Sequence, residues 1–160
     1  MVGRTRGATE DALLGELEEL YRRVDAAYAG SSCPATTECC RFGVTGREPY
    51  VTSIEVAAVE RAVRRRGGAL SRKRRALPLF EGAGRERICA FLDDSGRCSV
   101  YGSRPFGCRT FFCERATLAR EVRGKDLREL VNALRDIAAR HVTGGDAPRP
   151  MSKAFPPHDH

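Results

Sequence analysis

Seven cysteines in two groups constrain this chain of 160 residues more than any other feature of its sequence. An odd number of thiols cannot pair completely into disulfides within one chain. In a reducing compartment, clustered thiols more often bind a soft metal than form disulfides. We therefore expect metal ligation, rather than disulfides or inert buried thiols, from Cys33, Cys39, Cys40, Cys89, Cys98, Cys108 and Cys113.

The first residues, Met-Val-Gly-Arg-Thr-Arg, contain none of the apolar segment that a secretory signal needs. No run of the sequence approaches the roughly 18 apolar residues of a membrane span. We therefore expect a cytoplasmic protein without membrane association. The length and composition favour one globular domain.

The net charge of +7 is concentrated in one segment, Arg61–Arg75, which carries eight basic side chains and no acidic one. The rest of the chain is balanced, with 20 basic and 21 acidic residues. A focused basic patch can bind nucleic acid or an acidic partner. Because arginine outnumbers lysine 25 to 3 in this chain, an ordinary solvated face explains the same residues equally well.

Three segments have the apolar periodicity of amphipathic helices. The first covers residues 10–29. The second begins at Thr52 or Ser53, where Thr52 and Glu55 fit a capping box, and ends at Gly67. The third covers residues 125–142.

Residues 87–101 predict a β-hairpin around the turn Asp93–Gly96. A loop of two or four residues would place Cys89 and Cys98 on one face of this hairpin. A loop of three residues would place them on opposite faces, because side chains alternate along a strand.

The sequence as a whole predicts a small single domain of the α-rich α+β class. It would have three main helices, one short β-hairpin and an irregular, cysteine-rich centre organised by metal. Residues 31–52 and 104–113 are predicted to be loops. The predicted parts are an N-terminal helix (1–30), a cysteine-cluster region (31–115), a C-terminal helix (116–142) and a disordered tail (143–160).

The cysteine spacing is C-x5-C-C followed by C-x8-C-x9-C-x4-C, which matches neither a standard zinc finger nor a standard ferredoxin. Together with its neighbours, however, the pattern resembles the YkgJ-type cysteine-cluster family. The resemblance covers residues 33–113, and its motifs are Cys39-Cys40, Cys89-Ala-Phe-Leu, Cys98-Ser-Val-Tyr101, Arg104-Pro105 and Cys108-Arg109. Members are described as zinc- or iron-chelating domains, and relatives include flagellin lysine methylases.

The first cysteine group of that family commonly reads C-x2-C-x2-C-C, and Thr36 stands where its second cysteine would be. Eight thiols could fill two four-coordinate sites, but seven cannot. Either a non-thiol ligand completes one site, or one site keeps an open position, or only one site forms.

A metal centre with four thiolates is anionic, whether it holds zinc or an iron–sulfur cluster, and it needs positive charge and hydrogen-bond donors around it. Arg104 and Arg109, on either side of Cys108, and Tyr101 are the candidates for this role.

The resemblance therefore implies a metal-chelating protein that binds zinc or iron. Two alternatives stay open: a zinc-stabilised module that binds nucleic acid or an acidic partner, and an iron–sulfur oxidoreductase or methyltransferase-associated protein. The sequence shows no nucleotide-binding or nucleophile motif that would identify catalytic residues.

Overall fold

The structure is a computed structural model that describes residues 3–33, 36–68, 87–112 and 115–156. The predicted α-rich α+β class is confirmed, because three long helices and one two-stranded antiparallel sheet organise the chain. In chain order the elements are α1 (Gly3–Ala27), a 3-10 turn (Glu38–Cys40), α2 (Phe42–Thr45), β1 (Tyr50–Val51), α3 (Ser53–Arg65), a 3-10 turn (Tyr101–Ser103), α4 (Phe106–Thr110), α5 (Gly124–His141), β2 (Arg149–Pro150) and α6 (Met151–Ala154).

The helices α1, α3 and α5 pack around the main core, and each of them was predicted from its apolar stripe. Full burial of one such side chain contributes roughly 1.5–3 kcal/mol. No helix in the described part of the chain is both long and apolar enough to cross a membrane. The buried residues of this core include Leu13, Leu17, Leu20, Val24, Ile54, Leu130, Leu134, Ile137 and Ala138.

The N-terminus of α3 is held by two carboxylates. The backbone N–H of Thr52 donates to Glu55 Oε2 at 2.9 Å, which confirms the predicted capping box. The next N–H, that of Ser53, donates to Asp146 Oδ2 at 2.8 Å. Because the first N–H groups of a helix have no partner within the helix, both contacts stabilise its start, and the second joins it to the segment after α5.

The C-terminal segment is ordered over most of its length, although its proline and glycine content predicts a disordered tail from residue 143. Strand β2 pairs with β1, with Tyr50 opposite Pro150 and Val51 opposite Arg149. Met151 is only 2% exposed. Residues 149–154 thus form β2 and α6 in the segment for which the composition predicts disorder, and residues 157–160 lie outside the described part.

A second, smaller core lies beside the first and contains Phe42, Val51, Val56, Cys89 and Met151. It joins parts of the chain that are far apart in sequence, from α2 to α6. The predicted loop over residues 31–52 thus contains a short helix whose Phe42 is 1% exposed. The predicted loop over 104–113 likewise contains α4. Helices of one turn are too short to show periodicity.

The predicted hairpin over residues 87–101 is reduced to a tight turn with one isolated bridge, between Leu92 and Cys98. The N–H of Asp93 donates to the carbonyl of Arg97 at 2.8 Å, and Asp93 Oδ1 accepts the N–H of Arg97 at 2.9 Å. These contacts leave a loop of three residues. The two-stranded sheet of this fold is instead the β1–β2 pair.

Candidate metal site

Six thiols line one cavity with a volume of about 1000 Å³. They reach it from five separate segments of the chain, and none of these six cysteines forms a disulfide. The seventh, Cys113, lies outside the described residues. The six thiols of the cavity are Cys33, Cys39, Cys40, Cys89, Cys98 and Cys108.

The adjacent thiols of Cys39 and Cys40 lie on the 3-10 turn Glu38–Cys40, with their sulfur atoms 4.0 Å apart. In an extended strand, neighbouring side chains would point to opposite sides. Here Thr37 enters the turn with φ of 56°, a left-handed conformation that β-branched residues rarely adopt. This turn allows both thiols to face the same cavity.

Cys89 is tied directly to the Cys39–Cys40 turn. Its backbone N–H donates to the carbonyl of Cys40 at 2.8 Å, and the next bridge pairs Arg41 with Ile88. The Cys89 side chain is 6% exposed and belongs to the smaller core. Packing of that core therefore fixes the position of Cys89, and through its backbone hydrogen bond that of Cys40, at the side of the cavity.

Cys98 and Cys89 line the same cavity although the loop between them has three residues. In a regular hairpin this register would separate them. The N–H of Leu92 donates to the carbonyl of Cys89 at 3.1 Å, however, and this turn ends the strand alternation before Cys89 is reached. No local sequence pattern indicates that turn.

Cys108 is presented by α4, which begins after Pro105 and lies close to Pro49. A Cβ atom added at Gly107 would be 2.9 Å from the Cβ of Pro49, within a rigid ring. Because real Cβ contacts of that length are essentially absent, the close approach of α4 requires glycine at this position.

Gly107→Ala is expected to lower the free energy of unfolding by about 1–3 kcal/mol, the usual cost of overpacking. It should also displace Cys108 and weaken metal retention. Urea denaturation and metal analysis measure both effects. Gly102→Ala is the matched control, because its new Cβ would meet no atom within 4 Å. Equal stability of the two variants would contradict the tight contact.

The thiols oppose one another's ionisation. Burial and the charges of Cys40, Cys98 and Cys39 raise the pKa of Cys108 to about 12. The hydrogen bond with Cys39 lowers the pKa of Cys40, but the hydrogen bond with Cys89, burial and the charges of Cys89 and Cys98 outweigh it, so this pKa is also about 12. Thiolate is the form that binds metal, and a cation among these sulfur atoms would remove the opposition.

Arg104 and Tyr101 line the cavity. The positive charge of Arg104 lowers the pKa of Cys98 and Cys108 against the larger effect of their burial. The Arg104 guanidinium lies 3.6 Å from the ring centroid of Tyr101, and its Nε donates to the Tyr101 carbonyl at 3.0 Å. Arg104 is therefore positioned to offset negative charge on the sulfur atoms.

Arg109 does not line the cavity. Its Nη1 donates to Asp25 of α1 at 2.6 Å, and its other donors bind the carbonyls of Arg104 and Gly102. The guanidinium also lies 4.2 Å from the ring centroid of Tyr21. Arg109 was predicted to lie around the metal centre. Its side chain instead connects α4 and the preceding turn to α1.

Glu55 is a structural residue that the sequence reveals only as a helix cap. It is 1% exposed. Its Oε1 accepts the hydroxyl of Tyr21 at 3.1 Å and the N–H of Phe106 at 2.7 Å, while its Oε2 accepts both donors of Thr52. One buried carboxylate thus joins α1, α3 and the start of α4, the helix that carries Cys108.

The basic segment Arg61–Arg75 is described only as far as residue 68. Within that part, Arg61 pairs with Asp11, and Arg64 lies 3.8 Å from Glu60. Arg66 donates to the carbonyl of Ser99, next to Cys98. These contacts favour a structural role for Arg61, Arg64 and Arg66, and binding of nucleic acid or an acidic partner gains no support from them.

The donor set suits zinc or iron, and one pair of sulfur atoms has nearly the spacing of two ligands on a single ion. Two thiolates on a tetrahedral zinc ion, at 2.3 Å each, would lie about 3.8 Å apart, and Cys39 and Cys40 are 4.0 Å apart. Among the described residues, no three Cys, His, Asp or Glu side chains are yet grouped closely enough to hold an ion. Binding would have to draw the remaining sulfur atoms inward.

Thr36 does not line the cavity, whereas Cys33 lines it at an exposed position. The backbone carbonyl of Thr36 accepts the hydroxyl of Thr37 at 2.7 Å. This part of the first cysteine group is therefore less enclosed than the wall formed by Cys40 and Cys89.

One family model matches the chain over residues 32–127, that of CxxCxxCC, described as "Putative zinc- or iron-chelating domain". The pattern in its name has a cysteine at the position of Thr36. No curated protein and no solved structure matches the chain. The match spans more than half of the sequence and confirms the resemblance that the cysteine motifs predict, so the chain belongs to the CxxCxxCC family of zinc- or iron-chelating domains.

Proposed function

We propose that this protein holds a single zinc or iron centre, bound by thiolates at the wall of the cavity. The observation that carries the proposal is the convergence of thiols from four separate segments in addition to the exposed Cys33. The proposed ligands are drawn from Cys39, Cys40, Cys89, Cys98 and Cys108, and Cys113 is a further ligand predicted from the sequence.

The difference in enclosure among these thiols supports one site rather than two. Cys89 is buried, and Cys40, Cys98 and Cys108 are partly buried, whereas Cys33 and Cys39 are exposed. A closed structural site needs four ligands, and the enclosed thiols are sufficient for one. With Thr36 outside the cavity, the first group lacks the ligands for a second site of its own.

The negative charge of such a centre accounts for the presence of Arg104 beside the thiols. Zinc with four thiolates, or an iron–sulfur cluster with four, carries negative charge in a largely apolar environment, and a nearby cation lowers the cost of that charge. Arg104 already acts on Cys98 and Cys108. Free thiols at this density also fit a reducing compartment, and we propose the cytoplasm as the location.

Anaerobic purification followed by analysis of zinc, iron and inorganic sulfide tests the proposal. We expect about one centre per chain, because the four enclosed thiols provide the ligands of one four-coordinate site. Zinc without visible absorption would indicate a mononuclear thiolate site, and iron with sulfide and broad visible absorption would indicate a cluster. If the folded protein retains neither metal, even after incubation with Zn²⁺ or with Fe²⁺ and sulfide, the proposal is wrong.

A further inference from the structure

The cavity is much larger than a metal centre needs. A zinc ion bonded to sulfur at about 2.3 Å occupies only the space between its ligands. The volume of about 1000 Å³ instead lies at the upper end of the range typical of pockets for small organic molecules. The space beyond the thiols is therefore available to a second ligand.

The charged side chains of the cavity are mostly cationic. Arg47, Arg87, Arg97 and Arg104 line it, and the only acidic residue among the described lining residues is Glu48. Glu48 is engaged by Arg87 at 3.6 Å and by the N–H of Ser152 at 2.6 Å. The balance of charge favours an anionic ligand.

Two of these arginines form no ion pair within 4 Å with an acidic residue in the described part of the chain. The Arg47 guanidinium lies 5.5 Å from the ring centroid of Phe111. Arg97 donates its backbone N–H to Asp93, and the charge of its side chain acts on that carboxylate only at longer range. The charge of Arg104 already acts on Cys108, and Arg87 already forms an ion pair with Glu48. Arg47 and Arg97 thus remain available to pair with a ligand.

The same cavity exposes apolar surface. Tyr50 and Tyr101 are 60% and 58% exposed and line it together with Phe111. Binding pockets typically combine apolar and aromatic walls with a few polar groups that orient the ligand. Aromatic rings and unpaired arginines in one cavity suit a ligand that is both apolar and negatively charged.

We propose that the cavity binds a small organic anion, in which a carboxylate or phosphate group pairs with Arg47 and Arg97 and an aromatic or other apolar body contacts the exposed rings. This proposal goes beyond metal binding. Its two arginines, Arg47 and Arg97, line the cavity but are not among the proposed metal ligands.

Calorimetric titration of the metal-loaded protein at low ionic strength tests this with four probes: phenyl phosphate, benzoate, inorganic phosphate and benzyl alcohol. We expect at least one of the two aromatic anions to bind about tenfold more tightly than both inorganic phosphate and neutral benzyl alcohol. The phenyl phosphate and benzoate titrations distinguish a phosphate from a carboxylate ligand. Equal binding of all four probes, or of none, overturns the proposal.

Arg47→Gln and Arg97→Gln should each weaken binding of the aromatic anion about tenfold, because each removes one charge-assisted contact. Arg135→Gln is the control: it removes an equal charge from an exposed position on α5 that does not line the cavity. Equal weakening by Arg135→Gln would mean that only net charge attracts the anion, and would overturn the proposal.

The same samples separate this proposal from metal binding. Metal content is measured for the parent and for all three variants, and we expect it to be unchanged. A parent protein that holds metal but binds neither aromatic anion disproves the anion site alone. A parent protein that binds the anion but holds no metal disproves the proposed function alone.

Discussion

Cys108→Ser is expected to reduce the metal content of anaerobically purified protein at least about fivefold, because a neutral hydroxyl is a far poorer ligand than thiolate for zinc or iron. The substitution changes one atom in a half-buried side chain on α4, so packing is largely preserved. A structural metal contributes on the order of 10 kcal/mol to folding. Hydrogen exchange should consequently accelerate over residues 36–51 and 87–112.

Cys33→Ser is the matched control, because Cys33 lines the same cavity from an exposed position. We expect it to retain most of the metal. Equal metal content in Cys108→Ser and the parent would exclude Cys108 as a ligand. Equal losses in the two variants would instead mean that Cys33 belongs to the same closed site.

Glu55→Ala is expected to lower the free energy of unfolding by on the order of 4 kcal/mol. The substitution leaves the buried hydroxyl of Tyr21 and the N–H groups of Thr52 and Phe106 without their acceptor. Each buried donor without a partner costs about 1–3 kcal/mol. Urea denaturation followed by circular dichroism measures the loss.

Glu55→Gln should lose less, because its amide oxygen can still accept from Tyr21 and Phe106, whereas its NH₂ group cannot accept from Thr52. Glu60→Ala on the same helix is the control, because Glu60 is exposed and its ion pair with Arg64 is long, at 3.8 Å. We expect a change of less than about 0.5 kcal/mol there. Similar losses for Glu55→Ala and Glu60→Ala would show that the buried carboxylate does not join the helices.

The helices could be predicted from the sequence because their signals are local. The apolar stripes of α1 and α5 and the Thr52–Glu55 cap each require only residues a few positions apart. The cysteine grouping likewise drew attention to residues of which six line one cavity. Local patterns of this kind are largely independent of the rest of the fold.

The parts that could not be predicted depend on contacts between distant residues. Arg109 lies beside Cys108 in sequence, but Asp25, which is 84 positions away, determines where its guanidinium lies. The C-terminal segment has the composition of a disordered tail, yet β1 and the smaller core order it. The three-residue loop after Leu92 depends on the Asp93 side chain, which accepts the N–H groups of Ser95 and Arg97.

The position of Met151 in the wall of the cavity also sets an order of events during synthesis. The enclosed thiols through Cys108 are translated about 40 residues before Met151, which corresponds to roughly 2–8 s at 5–20 residues per second. During this interval the wall that Met151 and Pro150 complete does not yet exist. The thiols are therefore synthesised before the residues that complete the cavity, and the cavity can close around them only after Met151 has been translated.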